Sequence, residues 1–148
     1  MKTMVRLIYA SRMTSGLGHK ELDDIIQTSR RKNEKRGVTG ALCYSARGFL
    51  QCLEGPSDVV NELYGYIIRD ERHVDVTLLD YSDIHVRSFA RWAMAYIRAD
   101  EVDGMILRKY CAQRAFDPFA MSAQQALGFL AEIAAEREVS LGKLEAAD

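Results

Sequence analysis

The sequence lacks the features of several specialised protein classes. No apolar run approaches the roughly 20 residues of a membrane-spanning helix. The first residues, MKTMVRLIYASRM, carry a basic residue inside a short apolar stretch, which argues against a secretory signal. With 20 Lys and Arg against 21 Asp and Glu, the net charge is −1, which gives no global electrostatic case for nucleic acid. We therefore expect neither a membrane nor a nucleic acid as a direct partner.

Cysteine is also scarce. The sequence has three cysteines, Cys43, Cys52 and Cys111. This odd number and the lack of a C-x-x-C pair argue against a disulfide framework and a zinc site. The histidines show no metal-ligand spacing with them, so we expect no metal. Gly16 and Gly18 lack the spacing of a dinucleotide fingerprint, and there is no Walker A lysine. Reduced thiols favour a cytoplasmic location.

The pattern of apolar residues predicts one α+β domain. Alternation predicts strands, and 3.6-residue spacing predicts helices. The predicted strands span 4–10, 38–44, 48–54, 74–81 and 92–98, and the predicted helices span 19–33 and about 56–69. On the fifth strand we expect Trp92, Met94 and Tyr96 to share one face. This βαββαββ order predicts a ferredoxin-like sandwich with both helices on one face of the sheet.

The C-terminal third reads as helical. A short helix is predicted over 103–111, and a longer one from Ser122 to about Glu138, where Ser122 and Gln125 have capping-box spacing. The longer helix carries one apolar stripe, which must be buried against the second face of the sheet or against another subunit: Ala126, Leu127, Leu130, Ile133 and Ala134. We divide the chain into a domain at 1–98 and a helical extension at 99–148 packed on it.

Polar residues interrupt apolar surfaces at the end of the first helix and on two strands. Tyr9 ends an apolar strand face, Gln51 interrupts another, and Asn33 with Ser29 ends the stripe of the first helix. Buried amides and phenols need partners. They could satisfy each other and nearby backbone. Alternatively they converge on one crevice between helix and sheet, which would suit a planar heterocycle with donors and acceptors on its edge.

Other polar groups have simpler interpretations. A basic run at the end of the first helix is expected to be a solvated end that complements the helix dipole, or alternatively to attract a phosphate-bearing cofactor tail: Arg30, Arg31, Lys32, Lys35 and Arg36. Tyr66, Asp70 and His73 lie at i, i+4 and i+7, which predicts an exposed polar stripe on the second helix. Cys43 and Cys52, on predicted buried strands, are expected to be core residues rather than nucleophiles.

Four separated motifs carry a family resemblance. LIYASRM, SRRKNEKRGVTGALCYSARGFLQCLEGP, IIRDERH and RSFARWAM occur in this order and resemble the BLUF family of flavin-using blue-light receptors. The resemblance covers about residues 4–98. The C-terminal segment is similar to the two-helix extension of short, single-domain members such as the cyanobacterial phototaxis receptors.

The resemblance implies a role for each matching residue. Tyr9 matches the tyrosine that donates an electron and a proton to the excited flavin, and Gln51 matches the glutamine between that tyrosine and the flavin. Asn33 and Ser29 match residues near the isoalloxazine ring. Trp92 and Met94 match the pair that relays the signal, and Asp70 and His73 match recurring positions near the cofactor.

Two positions depart from the family pattern. Lys32 stands where many members have Asn or His close to the flavin, and we count it among the cofactor-binding residues. Tyr66 stands where a relative has an Arg that could approach the cofactor tail. The implied cofactor is FAD, with FMN as the alternative.

The resemblance thus implies a cytoplasmic blue-light photoreceptor that is not an enzyme. Light would rearrange the Tyr–Gln–flavin hydrogen bonds and alter contact with an unidentified downstream protein. The amphipathic C-terminal helix favours a homo-oligomer. Two other functions stay open. One is a ferredoxin-like protein-interaction module without photoactivity. The other is a flavin oxidoreductase, although the sequence offers no acid–base pair or nicotinamide site for it.

Overall fold

The computed structural model describes residues 3–14, 18–46 and 48–147, with side chains for all of them except His19 and 138–147. In the described part of the chain, five strands, four α-helices and two short 3-10 turns follow one another. The strands are β1 (Met4–Met13), β2 (Thr39–Ser45), β3 (Gly48–Pro56), β4 (His73–Asp83) and β5 (Ala95–Arg98). The helices are α1 (His19–Arg36), α2 (Ser57–Arg69), α3 (Gly104–Tyr110) and α4 (Ala123–Ala147).

The strands form one sheet in the order β4-β1-β3-β2-β5. β1 lies antiparallel between β3 and β4, β2 is antiparallel to β3, and only β5 is parallel to its neighbour β2. Both α1 and α2 pack on the same face of this sheet, because Leu22, Ile26 and Val60 join one apolar cluster with its side chains. The predicted ferredoxin-like α+β fold is confirmed.

Strand alternation gives the sheet two different faces. The site face, which packs on α1 and α2, includes Leu7, Tyr9, Leu42, Phe49 and Leu53. The back face, which packs on α4, includes Ile8, Cys43, Leu50, Cys52 and Ile97. The register pairs Tyr9 with Gln51 across β1 and β3, so the two predicted polar residues are direct neighbours on the site face.

The stripe of α4 is buried against the back face, which decides between the two alternatives that the sequence left open. Leu130 and Ile133 are buried in the back-face cluster together with Phe129, which the predicted stripe did not include. The capping box is confirmed. The backbone N–H of Gln125 donates to Ser122 Oγ at 3.1 Å, and the backbone N–H of Ser122 donates to Gln125 Oε1 at 2.9 Å.

The fifth strand is shorter than predicted, which corrects the position of Trp92. β5 begins at Ala95, and the preceding residues form a turn in which the Trp92 N–H donates to the Phe89 carbonyl at 3.1 Å. Trp92 packs against the back-face cluster, whereas Met94 and Tyr96 belong to the site-face cluster. The prediction of one shared face is wrong because strand alternation does not extend through this turn.

Other boundaries differ by a few residues. α1 continues to Arg36 and ends at Gly37, whose φ of 74° is the left-handed conformation that favours glycine at this position. Ser57 is the first residue of α2, which has no side-chain cap. The sequence also predicts a loop over residues 14–18 and a hairpin turn over 45–48, and of these residues 15–17 and 47 lie outside the described residues. In the part of the chain that is described, no helix could span a membrane.

A buried carboxylate anchors the loop between β4 and β5. Glu54 on β3 is fully buried and accepts hydrogen bonds from Arg6 Nε at 2.9 Å and from the backbone N–H groups of Ser88 and Phe89 at 3.1 and 2.9 Å. Arg87 adds a hydrogen bond to the Gly37 carbonyl at 2.8 Å. The start of this loop is therefore fixed to the sheet before the chain reaches Met94.

Candidate functional site

A cavity of about 740 Å³ lies between the site face and the helices α1 and α2. Its volume falls within the range of about 300–1,000 Å³ that is typical of small-molecule sites. Eight of the nine residues selected from the sequence line it: Tyr9, Ser29, Lys32, Asn33, Gln51, Asp70, His73 and Met94. Trp92 is the exception, because the turn before β5 directs it towards the back face.

Tyr9, Gln51 and Met94 form a connected row in this cavity. The Tyr9 hydroxyl donates to Gln51 Oε1, and Gln51 Nε2 donates to Met94 Sδ at 3.5 Å. Tyr9 is only 2% exposed, and burial raises the pKa of Tyr9 far above its ordinary value. The phenol therefore stays neutral throughout the accessible pH range and keeps its proton for the bond to Gln51.

The Gln51 amide retains hydrogen-bonding capacity. An amide group has two N–H donors and an oxygen with two lone pairs. Among the described residues, Gln51 uses one donor towards a thioether, which is a weak acceptor, and one lone pair towards Tyr9. One donor and one lone pair remain for a ligand in the cavity.

Helix α1 forms the opposite wall with its last polar turns. Asn33 is 3% exposed, and its Nδ2 donates to the Ala93 carbonyl at 3.3 Å. Ser29 lies one turn earlier on the same side of the helix, and both residues line the cavity. Lys32 is exposed at the cavity edge and has no ion-pair partner among the described residues. These three side chains present an amide, a hydroxyl and a positive charge to a ligand.

Arg30 on the same helix was not selected from the sequence as a site residue. Its Nε donates to the Met94 carbonyl at 2.9 Å, and its side chain is partly buried. The interpretation of Arg30 as part of a solvated basic end is therefore wrong. The sequence spacing could have indicated this role. Arg30 precedes Asn33 by three residues and therefore lies next to it on the helix surface.

The predicted polar stripe on the second helix does not exist. α2 ends at Arg69, Asp70 follows as its C-cap residue, and His73 begins β4. Asp70 pairs with Arg72 at 2.6 Å, and hydrogen bonds from Arg72 lower the pKa of Asp70 to about 2. Tyr66 is 55% exposed but lines the cavity. The prediction is wrong because the i, i+4, i+7 spacing continues in the sequence after the helix has ended at Arg69.

His73 lies beside the Tyr9–Gln51 pair. Its Nδ1 is 3.0 Å from Oγ of the buried Ser11, and its ring centroid is 6.4 Å from that of Tyr9 and 5.7 Å from that of Phe49. Burial lowers the pKa of His73. The neutral imidazole is therefore favoured.

The two cysteines of the sheet have no reactive role in this cavity. Cys43 and Cys52 are buried and free, and burial raises the pKa of both thiols, so the prediction that they are core residues is confirmed. Among the side chains that the structure describes, no cluster of His, Cys, Asp and Glu could hold a metal ion.

The chemistry of the cavity fits a flavin. Leu22, Ile26, Leu42, Phe49 and Leu53 supply apolar walls for a planar ring system. The free capacity of Gln51 suits the mixed donor and acceptor edge of a flavin ring, and Asn33 suits a second polar edge. Lys32 supplies a positive charge at the edge of the cavity.

Comparison with known families gives a match across this region. The BLUF family, described as sensors of blue light using FAD, matches residues 4–95, which include every residue of the Tyr9–Gln51–Met94 row. The match ends at the first residue of β5.

The proteins similar to this chain include two solved structures of BLUF proteins and one curated cyclase subunit. The photo-activated state of BlsA superposes with a TM-score of 0.78 at 32% identity, covering 88% of this chain and 94% of BlsA. The dark state of the BLUF protein BlrB gives 0.76 at 29% identity, covering 92% and 98%. Subunit beta of the photoactivated adenylate cyclase of Euglena longa is 36% identical over 93 residues, which are 62% of this chain and 11% of the cyclase subunit. The chain therefore spans about a tenth of that curated relative.

Proposed function

Since this chain belongs to the BLUF family of flavin-using blue-light sensors, we propose that Tyr9 and Gln51 are its photochemical switch and that Met94 carries the signal out of the site. The observation that carries the proposal is the row of hydrogen bonds from Tyr9 through Gln51 to Met94. As a member of a sensor family, the chain responds to light rather than turning over a substrate.

The proposed switch uses the asymmetry of an amide. A bound flavin supplies absorption of blue light and an electron acceptor. When a bound flavin is excited, Tyr9 would give up an electron to it and a proton along the hydrogen bond to Gln51 Oε1, and both would then return to Tyr9, so that no net oxidation occurs. Rotation or tautomerisation of Gln51 then exchanges a donor for an acceptor with little change of volume. The Gln51 bonds to Tyr9 and to the ligand are inverted as a result.

Met94 responds because a thioether sulfur can only accept. With Gln51 Nε2 facing it, Met94 Sδ has a donor at 3.5 Å. Once an oxygen takes that position, two acceptors face each other and Met94 loses its partner. A changed neutral hydrogen bond is worth about 0.5–1.5 kcal/mol net. That energy is too small to unfold the domain, but it can bias the position of residues 93–95.

FAD is the proposed cofactor, and FMN is the alternative. Gln51, Asn33 and Ser29 would hold the ring system, with Lys32 towards the phosphate, and Asp70 and His73 would line the tail side. The family description and the positive charge of Lys32 at the cavity edge support this choice. Chromatography of the flavin released by heating the purified protein identifies the cofactor, and FMN as the main species would contradict the proposal.

The proposed output is a light-dependent protein contact. A coupling of about 1–3 kcal/mol would change the affinity of a partner about 5- to 150-fold. We propose residues 1–98 as the sensing domain and 99–148 as the extension that presents the output, in a homo-oligomer. A cytoplasmic location is supported by the three free cysteines. The similarity to a photoactivated cyclase supports a protein as the target of the signal.

Tyr9→Phe tests the switch directly. The variant should bind flavin and lose the reversible red shift of the flavin absorption after blue illumination, because Phe has no O–H to transfer. Gln51→Leu should lose the shift as well. Visible spectra recorded before illumination, after it and during dark recovery measure the change.

Tyr64→Phe is the matched control. The Tyr64 ring centroid lies 5.8 Å from that of Tyr9, but Tyr64 does not line the cavity, so this variant should keep the full shift. A reversible shift in flavin-bound Tyr9→Phe would overturn the proposed role of Tyr9. Wild-type protein that stays colourless after addition of FAD would instead support the interaction module without photoactivity.

A further inference from the structure

Three side chains join helices α1 and α2 at the edge of the cavity. Arg36, the last residue of α1, donates from Nη2 to Glu62 Oε1 on α2 at 3.0 Å. The Tyr66 hydroxyl, one turn after Glu62 on α2, donates to the same oxygen at 3.3 Å. A single carboxylate oxygen therefore holds one donor from each of the two helices that pack on the site face.

Both donors line the cavity, and all three side chains reach solvent. Arg36 and Tyr66 belong to the cavity lining, and Glu62 bridges them. The side chains of Arg36 and Glu62 are 35% and 47% exposed, and Tyr66 is 55% exposed. The Arg69 guanidinium also lies over the Tyr66 ring, 5.4 Å from its centroid, so both the ring and the hydroxyl of Tyr66 have a partner. The connection between the helices thus lies where the cavity meets water.

The cavity opens between two rows of lining residues that are at least partly exposed. The row on α1 has a residue every four positions, which places its members on one side of the helix: Asp24, Thr28, Lys32 and Arg36. The other row, on α2 and the segment after it, contains Tyr66 and Arg72. Glu62 connects the two rows at the end of α1. A ligand that enters between α1 and α2 therefore meets this connection at one end of the opening.

We propose that Arg36, Glu62 and Tyr66 form a strap that slows both the entry and the release of the flavin. A flavin ring is rigid and planar, so its passage between α1 and α2 requires the strap to open. All three members belong to the protein, so the strap closes in the same way with and without flavin. It therefore raises the barrier to exchange in both directions and leaves the dissociation constant unchanged. This inference rests on the proposed flavin cofactor.

The test measures riboflavin exchange in full-length wild type and Glu62→Gln. Riboflavin carries no phosphate, so removing the carboxylate does not change a charge interaction with the ligand. Stopped-flow fluorescence gives the association rate, and release into an excess of another flavin-binding protein gives the dissociation rate. Gln keeps the size of Glu and an oxygen for Tyr66 but removes the ion pair. Because exposed ion pairs are weak, both rates should rise about threefold, with the dissociation constant unchanged.

Asp75→Asn is the matched control, because it removes another exposed ion pair. Asp75 Oδ2 lies 2.9 Å from Arg12 Nη1, and neither residue lines the cavity. Asn also tolerates the positive φ of 53° at this position. Both riboflavin rates in this variant should equal those of wild type.

Charge reversal and salt test the ion pair itself. Glu62→Arg places a second positive charge against Arg36 and should raise both rates more than Glu62→Gln does. Combining it with Arg36→Glu restores an ion pair with exchanged partners and should reverse most of that rise. Higher ionic strength should accelerate riboflavin exchange in wild type and have little effect in Glu62→Gln.

The outcomes separate the strap from the proposed cofactor. Wild-type protein that binds neither riboflavin, FMN nor FAD would refute the cofactor and the strap with it. Flavin binding with unchanged rates in Glu62→Gln would refute the strap and leave the cofactor intact. Faster dissociation with an unchanged association rate would also overturn the strap, because Glu62 would then stabilise only the bound state. Equal acceleration in Asp75→Asn would assign the effect to a general loss of ion pairs and overturn it as well.

Discussion

The two faces of the central sheet are built from alternate residues of the same strands, yet they differ in how completely their polar groups are satisfied. On β3, Leu50 and Cys52 are fully buried in the back-face cluster under α4. Their neighbours Phe49, Gln51 and Leu53 line a cavity of about 740 Å³. One face is filled by the protein itself, and the other leaves room for a ligand.

Both faces contain a buried polar residue on β3, which makes the contrast sharper. Glu54 on the back face accepts three hydrogen bonds from Arg6, Ser88 and Phe89 within the protein. Gln51 on the site face has one firm partner, Tyr9, and one weak partner, Met94. A buried polar side chain whose hydrogen bonds are made within the protein is expected to have a structural role. One that keeps unused hydrogen-bonding capacity next to a cavity is expected to bind a ligand.

The largest expected difference between the faces concerns these two polar residues. Glu54→Leu should lower the free energy of unfolding by about 3–5 kcal/mol, because it leaves the Arg6 charge without its buried partner. Gln51→Leu should lower it by only about 1 kcal/mol in flavin-free protein, since the bonds lost are one neutral hydrogen bond with Tyr9 and one weak bond to the Met94 sulfur. Urea unfolding of both flavin-free variants measures the difference, and equal losses would contradict the contrast.

A smaller difference is expected for two leucines on the same strand. Leu50→Ala on the back face should lower the free energy of unfolding by about 4 kcal/mol, because it opens a new void in a filled core. Leu53→Ala should lower it by about 2 kcal/mol in flavin-free protein, because its side chain already borders the cavity. Bound flavin should bring the two values closer together. Urea titrations with and without FAD check this, and an unchanged gap would contradict it.

The smallest expected effect is a dependence of the free energy of unfolding on pH, caused by His73, which lines the cavity. Burial lowers the pKa of His73 in the folded state, so the unfolded chain binds more protons as the pH falls. The contribution to stability is present above the unfolded pKa of about 6.5 and is lost as the pH falls through the folded pKa. We expect a loss of about 1 kcal/mol or less between pH 7.5 and pH 5.

His73→Gln is the matching variant, since it keeps a polar side chain opposite Ser11 and does not titrate. Its unfolding free energy should vary less over this pH range than that of wild type. An identical pH dependence in the two proteins would assign the effect to another group. His85, on the loop after β4 and exposed, is the control position, and His85→Gln should leave the dependence unchanged.

Much of this architecture could be predicted from periodicity. The alternation in β1 and β3 gave the correct faces for Tyr9 and Gln51, and the apolar stripe of α4 predicted its burial. The predictions are wrong at positions where the spacing of a strand or helix continues in the sequence although the backbone has already left that element. Trp92 was assigned to β5 and Asp70 to α2 for this reason, and their observed surroundings depend on contacts with distant segments.

By itself the sequence determined the order of the elements, the two faces of each strand and the polar residues that interrupt the site face, because these depend on local spacing and on side-chain chemistry. Only the tertiary structure decided that Met94 rather than Trp92 contacts Gln51, and that Arg30 holds the Met94 carbonyl. Both contacts join segments more than 40 residues apart, and their geometry is fixed by the register of β3 and by the turn before β5. No local pattern encodes that geometry, because it arises from the packing of the whole chain.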